Sequence, residues 1–256
     1  MLLICDIGNT RIKSAVFTKD NISHKKVTTL VSDLIDFYKP KDITAAAFSS
    51  VVPEKSKEFS DLLKQQFNIS SLVVSDNLKF NLRIDYSTPE NLGTDRVCSA
   101  EGAFYLFKRS KRYKKYNKND VIVSVDLGTA TTINFVKYPG AFKGGIIAPG
   151  LEMMSQSLHD KTALLPVIPA SAYKKLIGKN TKESVASGLI NSTVGLLEKC
   201  FSELKAKRKL ENIHIYLTGG NAPKIIPYLK IKHKFVEELV LLGIKAIYEK
   251  NVGLRL

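Results

Sequence analysis

Three short stretches carry the residue types that phosphate and alcohol chemistry needs. The first is Asp6-Ile7-Gly8-Asn9-Thr10-Arg11-Ile12-Lys13, which crowds a carboxylate, a glycine, two small hydrogen-bonding side chains and a lysine together. A carboxylate and a ring of free backbone N–H groups at a strand end suit a magnesium-bound polyphosphate. The second, Asp126-Leu127-Gly128-Thr129-Ala130-Thr131-Thr132, has the same grammar. The third runs from Tyr86 through Pro89, Gly93, Thr94, Asp95 and Arg96 and sets a carboxylate beside an arginine where a loop enters a helix. A helix N-terminus attracts an anion, Arg96 offers a fork for a carboxylate, and Asp95 could accept a hydroxyl proton. Each stretch also has a plainer reading. The first two could be hairpins with polar tips, and the third a helix capped by Thr94 or Asp95 with a surface ion pair.

The elements that must hold these residues follow from hydrophobic pattern. Apolar runs flank both Asp-X-Gly turns (Leu2–Cys5 and Ile12–Val16; Val121–Val125 and Ile133–Val136), which is a β-hairpin pattern each time. The two aspartates stand 120 residues apart in a chain of 256. A period that long means two copies of a domain-sized unit, not a solenoid. Two such halves aiming Asp-X-Gly turns at a common nucleotide cleft is the layout of the sugar kinase, actin and Hsp70 ATPase folds. The expected class is therefore α/β, two duplicated ribonuclease H-like lobes, with an N-terminal lobe over 1–112 and a C-terminal lobe over 119–256.

Between the motifs, the pattern predicts a third strand over 24–28, a helix over 29–38 and a core strand over 43–52. A helix from Pro53 to Phe67 and a short strand at 72–74 follow. The loop ending at Arg96 leads into a helix over 97–107. In the second half, Gly144-Gly145 marks a close approach and Pro149-Gly150 a turn into a helix over 152–159. Residues 164–169, with two prolines, read as an extended connection. Thr181 is the expected N-cap of a long amphipathic helix whose wide apolar stripe suits a core or a dimer interface. A strand at 213–217 ends in Thr218-Gly219-Gly220, where a purine or phosphate could approach the backbone. A terminal helix over about 235–249 is expected to close the second lobe.

Composition excludes several classes. At 44% hydrophobic and 25% charged, the chain can build a core. Cys5, Cys98 and Cys200 lack CxxC spacing, which points to buried thiols in a reducing, cytoplasmic setting. The four histidines are scattered, so no metal cluster is expected. No signal peptide and no membrane span is expected. The net charge is +15, and the pI near 9.6 favours anionic ligands. Seven of the eleven residues from Lys108 to Lys118 are basic, with two tyrosines between them. This run reads as a solvated connection between lobes or as a nucleic-acid contact.

Seven motifs occur in order: Asp6–Lys13, Ser49–Pro53, Tyr86–Arg96, Asp126–Thr132, Gly144–Gly150, Gly178–Thr181 and Thr218–Gly220. Together they make the sequence similar to the type III pantothenate kinases over essentially its whole length. The resemblance implies ATP-dependent phosphorylation of pantothenate to 4′-phosphopantothenate, the first step of coenzyme A synthesis. It implies that residues 6–13 and Thr129 hold the ATP phosphates, with Asp6 at magnesium. It implies that Asp126 helps bind a monovalent cation, K+ or NH4+. Tyr86, Gly93, Thr94, Asp95, Arg96 and Thr181 would line the pantothenate site, with Asp95 as proton acceptor. A homodimer in the cytoplasm, with neither membrane nor nucleic acid as partner, is the family's pattern. The alternatives on the same fold are a nucleic-acid-binding regulator using 108–118 and a nucleotide-gated interaction protein.

Overall fold

The computed structural model describes residues 1–39, 42–110, 119–208 and 212–253. In chain order the elements are β1 (Leu2–Ile7), β2 (Ile12–Thr18), β3 (Asn21–Thr28), α1 (Val31–Tyr38), β4 (Ala45–Ser50), α2 (Pro53–Phe67), β5 (Ser71–Val73), β6 (Arg83–Ile84) and α3 (Thr94–Arg109). There follow β7 (Val121–Leu127), β8 (Ala130–Lys137), β9 (Ala141–Pro149), α4 (Leu151–Lys161), α5 (Thr181–Arg208), β10 (Ile213–Thr218), α6 (Ala222–Ile225), β11 (Lys234–Phe235) and α7 (Leu239–Val252). These fall into two compact units. One is Met1–Lys114 with Gly140–Lys143 and Glu238–Leu256; the other is Lys115–Pro139 with Gly144–Glu237.

The first unit is built on a sheet of order β3-β2-β1-β4-β5. β1 is antiparallel to β2 and parallel to β4. Both faces of β1 are covered, which is why it reads as an unbroken apolar run and not as an alternation. Leu3, Cys5 and Ile7 pack toward α1 and α2 with Phe48, Phe59 and Leu63. Leu2 and Ile4 face the other way, into a cluster with Cys98 of α3 and Val240, Leu241 and Ile244 of α7. Side chains alternate along a strand, so Asp6 shares the face of Leu2 and Ile4, the face that α3 covers.

The second unit repeats the plan. Its strands run in the order β9-β8-β7-β10-β11, element for element the order of the first. β7 is antiparallel to β8 and parallel to β10. Val121, Val123, Val125 and Leu127 pack with Leu189, Ile190 and Leu197 of α5. The first residues of β9 count with the first unit, where Ala141 and Phe142 lie opposite Arg83 and Ile84 of β6 in parallel register.

Three local expectations are corrected. The terminal helix begins at Leu239, because Lys234–Phe235 forms β11 beside β10. That helix belongs to the first unit, where it crosses α3 so closely that a β-carbon on Gly102 would stand 2.0 Å from the Leu239 carbonyl oxygen. Two glycines facing each other there (Gly243 meets the Cys98 carbonyl likewise) let the helix backbones touch. Neither Thr94 nor Asp95 caps α3, since Gly93 holds the N-cap position without a side-chain bond. The cap of α5 is Asn180, not Thr181: Asn180 Oδ1 accepts the Glu183 N–H at 2.9 Å while Glu183 Oε2 accepts the Lys179 N–H at 3.0 Å. Thr181 is thus the first residue of the helix.

Candidate active site

In the first unit, Asp6 is the penultimate residue of β1, opposite Lys13 on β2 and Ser49 on β4. The turn between β1 and β2 is closed by the Gly8 N–H donating to the Arg11 carbonyl at 3.0 Å. Asn9, Thr10 and Arg11 are exposed on it. Ile7 and Ile12 are fully buried, so of these two only backbone could face a ligand. Ser49 Oγ donates to Thr94 Oγ1 at 2.9 Å, which joins the end of β4 to the start of α3. There the N–H groups of Arg96 and Val97 both point to the Gly93 carbonyl oxygen, at 3.1 and 3.3 Å.

The carboxylate of Asp95 folds back over Gly93, with Oδ1 2.6 Å from where a β-carbon on Gly93 would lie. Arg96 is buried, its guanidinium 5.7 Å from the Tyr86 ring centre and 5.9 Å from that of Phe142. The thiol of Cys98, further along α3, is fully buried. Burial pushes it well above its usual range, and the charge of Asp6, then those of Asp95 and Glu101, push the same way against a hydrogen bond with Ser49. Cys5 is likewise raised by burial and by Asp6. Both thiols are kept neutral, as core groups and not nucleophiles.

In the second unit, Asp126 is also penultimate in its strand, opposite Thr132 on β8 and Thr218 on β10. Each aspartate thus has a hydroxyl residue on its parallel neighbour. Gly219, at φ +99°, folds the chain after β10 against the Asp126 turn. A β-carbon there would come within 2.5 Å of Asp126 Oδ1 and 2.4 Å of the Leu127 carbonyl carbon. Only glycine tolerates both that backbone angle and that approach. Thr129 is exposed, and its carbonyl accepts the Gly150 N–H at 3.0 Å.

One side chain ties three turns together here. Asn221 Nδ2 donates to the Gly128 carbonyl at 3.2 Å and to Glu152 Oε2 at 2.6 Å, and its backbone N–H donates to the Leu127 carbonyl at 2.9 Å. Lys224 Nζ donates to both Asn221 Oδ1 and Glu152 Oε1 at 2.8 Å. Burial raises the Glu152 carboxyl, but the hydrogen bonds from Lys224 and Asn221 outweigh it and hold the group below its ordinary range.

Tyr86, Gly93, Thr94, Asp95 and Arg96 thus gather with Asp6 and Lys13 in the first unit, while Asp126, Thr129 and Thr181 belong to the second. Sequence reasoning gave no role to Glu101, Asn221, Glu152 or Lys224. The signal for Glu101 was a lone acid in a run of small and apolar residues on α3. The basic run 108–118 lies outside the described residues from 111 onward. Of its described members, Arg109 pairs with Asp20, and Lys108 stands over the Phe104 ring.

A model of the type III pantothenate kinase family matches residues 2–203. The chain belongs to the type III pantothenate kinase family. Full-length relatives of that name agree. The protein from Citrifermentans bemidjiense is 31% identical, over 98% of this chain and all of that one. A relative from Listeria welshimeri is 30% identical, over 98% of each. Among solved structures, a chain from Campylobacter jejuni described as a Baf family transcriptional activator superposes with a TM-score of 0.59 at 18% identity. The match covers 98% of this chain and 100% of that one. A Listeria monocytogenes protein described as an N-acetylmannosamine kinase matches with a TM-score of 0.50 at 12% identity, over 96% and 97%. These two bear on fold alone, and they agree with the two-lobed ribonuclease H-like architecture of the kinase family. No helix among the described residues is long and apolar enough to cross a membrane.

Proposed function

We propose that this protein transfers the γ-phosphoryl group of ATP to the primary alcohol of pantothenate, giving ADP and 4′-phosphopantothenate, the first step of coenzyme A synthesis. The observation that carries the assignment of roles is the link from Asp6 on β1, through Ser49 opposite it on β4, to Thr94 beside Asp95 at the start of α3. This supports a reading in which the β1–β2 hairpin binds phosphate and the Asp95 carboxylate, on the helix next to it, serves as acceptor.

In this reading Asp95 accepts the alcohol proton as the oxygen–phosphorus bond forms and the bond from phosphorus to the ADP oxygen breaks. ADP departs with that electron pair. The proton becomes acidic late, so an ordinary carboxylate suffices. Lys13 and the N–H groups of residues 6–13 hold the phosphates. Arg96, buried against Tyr86, receives the pantothenate carboxylate or the phosphoryl group in transit; Gly93 and Thr94 complete that side.

The donors fit the expected ions. No cluster of three metal-ligating side chains exists among the described residues. Asp6 supplies one hard oxygen, which is what magnesium takes from protein when phosphates and water fill its remaining positions. The Asp126 carboxylate offers K+ an equally hard oxygen, and it would accept a hydrogen bond from NH4+. When bound, these cations neutralise charge building on the transferred and leaving groups. A cytoplasmic homodimer completes the proposal, and the exposed apolar residues Ile147, Leu164, Val167, Leu176 and Ile177 of the second unit support it. The test is ADP release by a coupled assay with and without pantothenate, in potassium and then in sodium. Release that ignores pantothenate would overturn the assignment.

A further inference from the structure

Glu101 is a carboxylate with no exposure to solvent, on α3 six residues after Asp95. Burying a charge is costly unless hydrogen bonds replace its water. Here three donors do so. Oε1 accepts the backbone N–H groups of Asn81 at 2.6 Å and Leu82 at 2.9 Å. Oε2 accepts Asn81 Nδ2 at 3.0 Å, and that amide also donates to the Ala246 carbonyl at 3.2 Å.

The gripped residues open the segment that delivers Tyr86. From Leu82 the chain enters β6, where Arg83 N–H donates to the Gly140 carbonyl at 2.9 Å and Asp85 N–H to the Phe142 carbonyl at 3.0 Å. Tyr86 comes next, edge-on to Phe142 at 6.1 Å and beside Arg96. The helix that carries Arg96 therefore also fixes the start of the strand that carries Tyr86. Glu101 is the side chain that makes this connection.

We propose that Glu101 is a positioning residue for the acceptor substrate. By holding Asn81 and Leu82 it sets Tyr86 against Arg96, and so sets the affinity for pantothenate without touching either substrate. The inference rests on the reading that Tyr86 and Arg96 line the pantothenate site.

Glu101→Gln is the decisive variant, because it keeps the shape and removes the complementarity. If the Gln oxygen keeps the two backbone donors, its NH2 faces Asn81 Nδ2, donor against donor. Turning the Asn81 amide clears that clash but sets its oxygen against the Ala246 carbonyl. Steady-state kinetics of the full chain should show KM for pantothenate raised about tenfold, the scale of one disrupted hydrogen bond to a charge. KM for ATP and kcat should move less than twofold. A merely structural role would lower the fraction of folded enzyme, and hence Vmax, leaving both KM values alone; that result overturns the proposal. Asn81→Ala removes one donor and leaves Glu101 its two backbone partners. It should raise KM for pantothenate in the same direction by a smaller factor, and it carries the test if Glu101→Gln does not fold. Tyr86→Ala separates the two levels. If it raises KM for pantothenate while the folded Glu101 and Asn81 variants do not, the positioning role is wrong and the site reading stands. If Tyr86→Ala leaves KM unchanged, the site reading fails and the proposal falls with it.

Discussion

Replacing Gly93 by alanine isolates the position of one carboxylate. Gly93 holds the N-cap of α3 at φ −54° and ψ 131°, a conformation any residue adopts. An added β-carbon would meet only Asp95, with Oδ1 at 2.6 Å and Cγ at 3.8 Å. No backbone stands in the way, so the side chain is what yields. Moving Oδ1 out to the 3.4 Å of ordinary van der Waals contact displaces it by about 0.8 Å. Stability should change little, because alanine at an N-cap costs up to about 1 kcal/mol relative to glycine. The loss of glycine's freedom in the unfolded chain returns roughly 0.4–1 kcal/mol. A Tm shift of no more than about 4 °C follows. Misplacing an acceptor by nearly 1 Å costs on the order of 100-fold in rate. The assay is kcat by coupled ADP release at saturating ATP and pantothenate, beside a thermal melt. A variant with wild-type kcat would refute the reasoning, since either the carboxylate does not move or its place does not matter. Asp95→Asn distinguishes these two outcomes.

Asp95→Asn should lower kcat by about 10²–10⁴ while leaving ATP affinity nearly intact, the range for loss of a general base; normal turnover would remove Asp95 from the mechanism. Asn221→Asp keeps the shape but turns two donor contacts, to the Gly128 carbonyl and Glu152 Oε2, into oxygen against oxygen. It should destabilise the second unit by about 2–4 kcal/mol and raise KM for ATP, read by urea unfolding and kinetics; an unchanged midpoint would show that the three turns hold without it. The Glu101 carboxyl is raised by burial against the hydrogen bonds from Leu82 and Asn81, so the folded chain holds this proton more tightly than the unfolded chain. Its contribution is full below the ordinary glutamate pKa and lost as pH rises through the raised value. The melting temperature of wild type relative to Glu101→Gln should therefore improve as pH falls from 7 toward 5; a difference independent of pH would contradict the buried, shifted carboxyl.

What the sequence could reveal about this molecule was set by period and by repetition. The apolar runs ending at Asp6 and Asp126 are local, and a strand's alternation already fixes which face each aspartate takes. The repeat of 120 residues then implied two sheets of one plan, and the strand orders match element for element. The register goes further than the motif, because Ser49 and Thr218 occupy corresponding places beside the two aspartates. Other features depended on contacts between segments remote in sequence. An apolar helix at the chain's end cannot announce which sheet it covers; Gly102 and Gly243 decide it, 141 positions apart. Asn180 and Thr181 are both good cap residues, and only the Glu183 N–H direction separates them. Glu101 looked like a misplaced charge on an apolar helix because its partners are mostly backbone N–H groups, which every residue but proline possesses and no sequence pattern marks. The buried acid and its donors are the same kind of device as Asn221 in the other unit, one polar side chain that bonds to the segments that carry candidate site residues. In both units, then, the groups proposed for chemistry stand on strand ends and a helix start that short-range pattern predicts. The groups that hold them in place became visible only once the chain was folded.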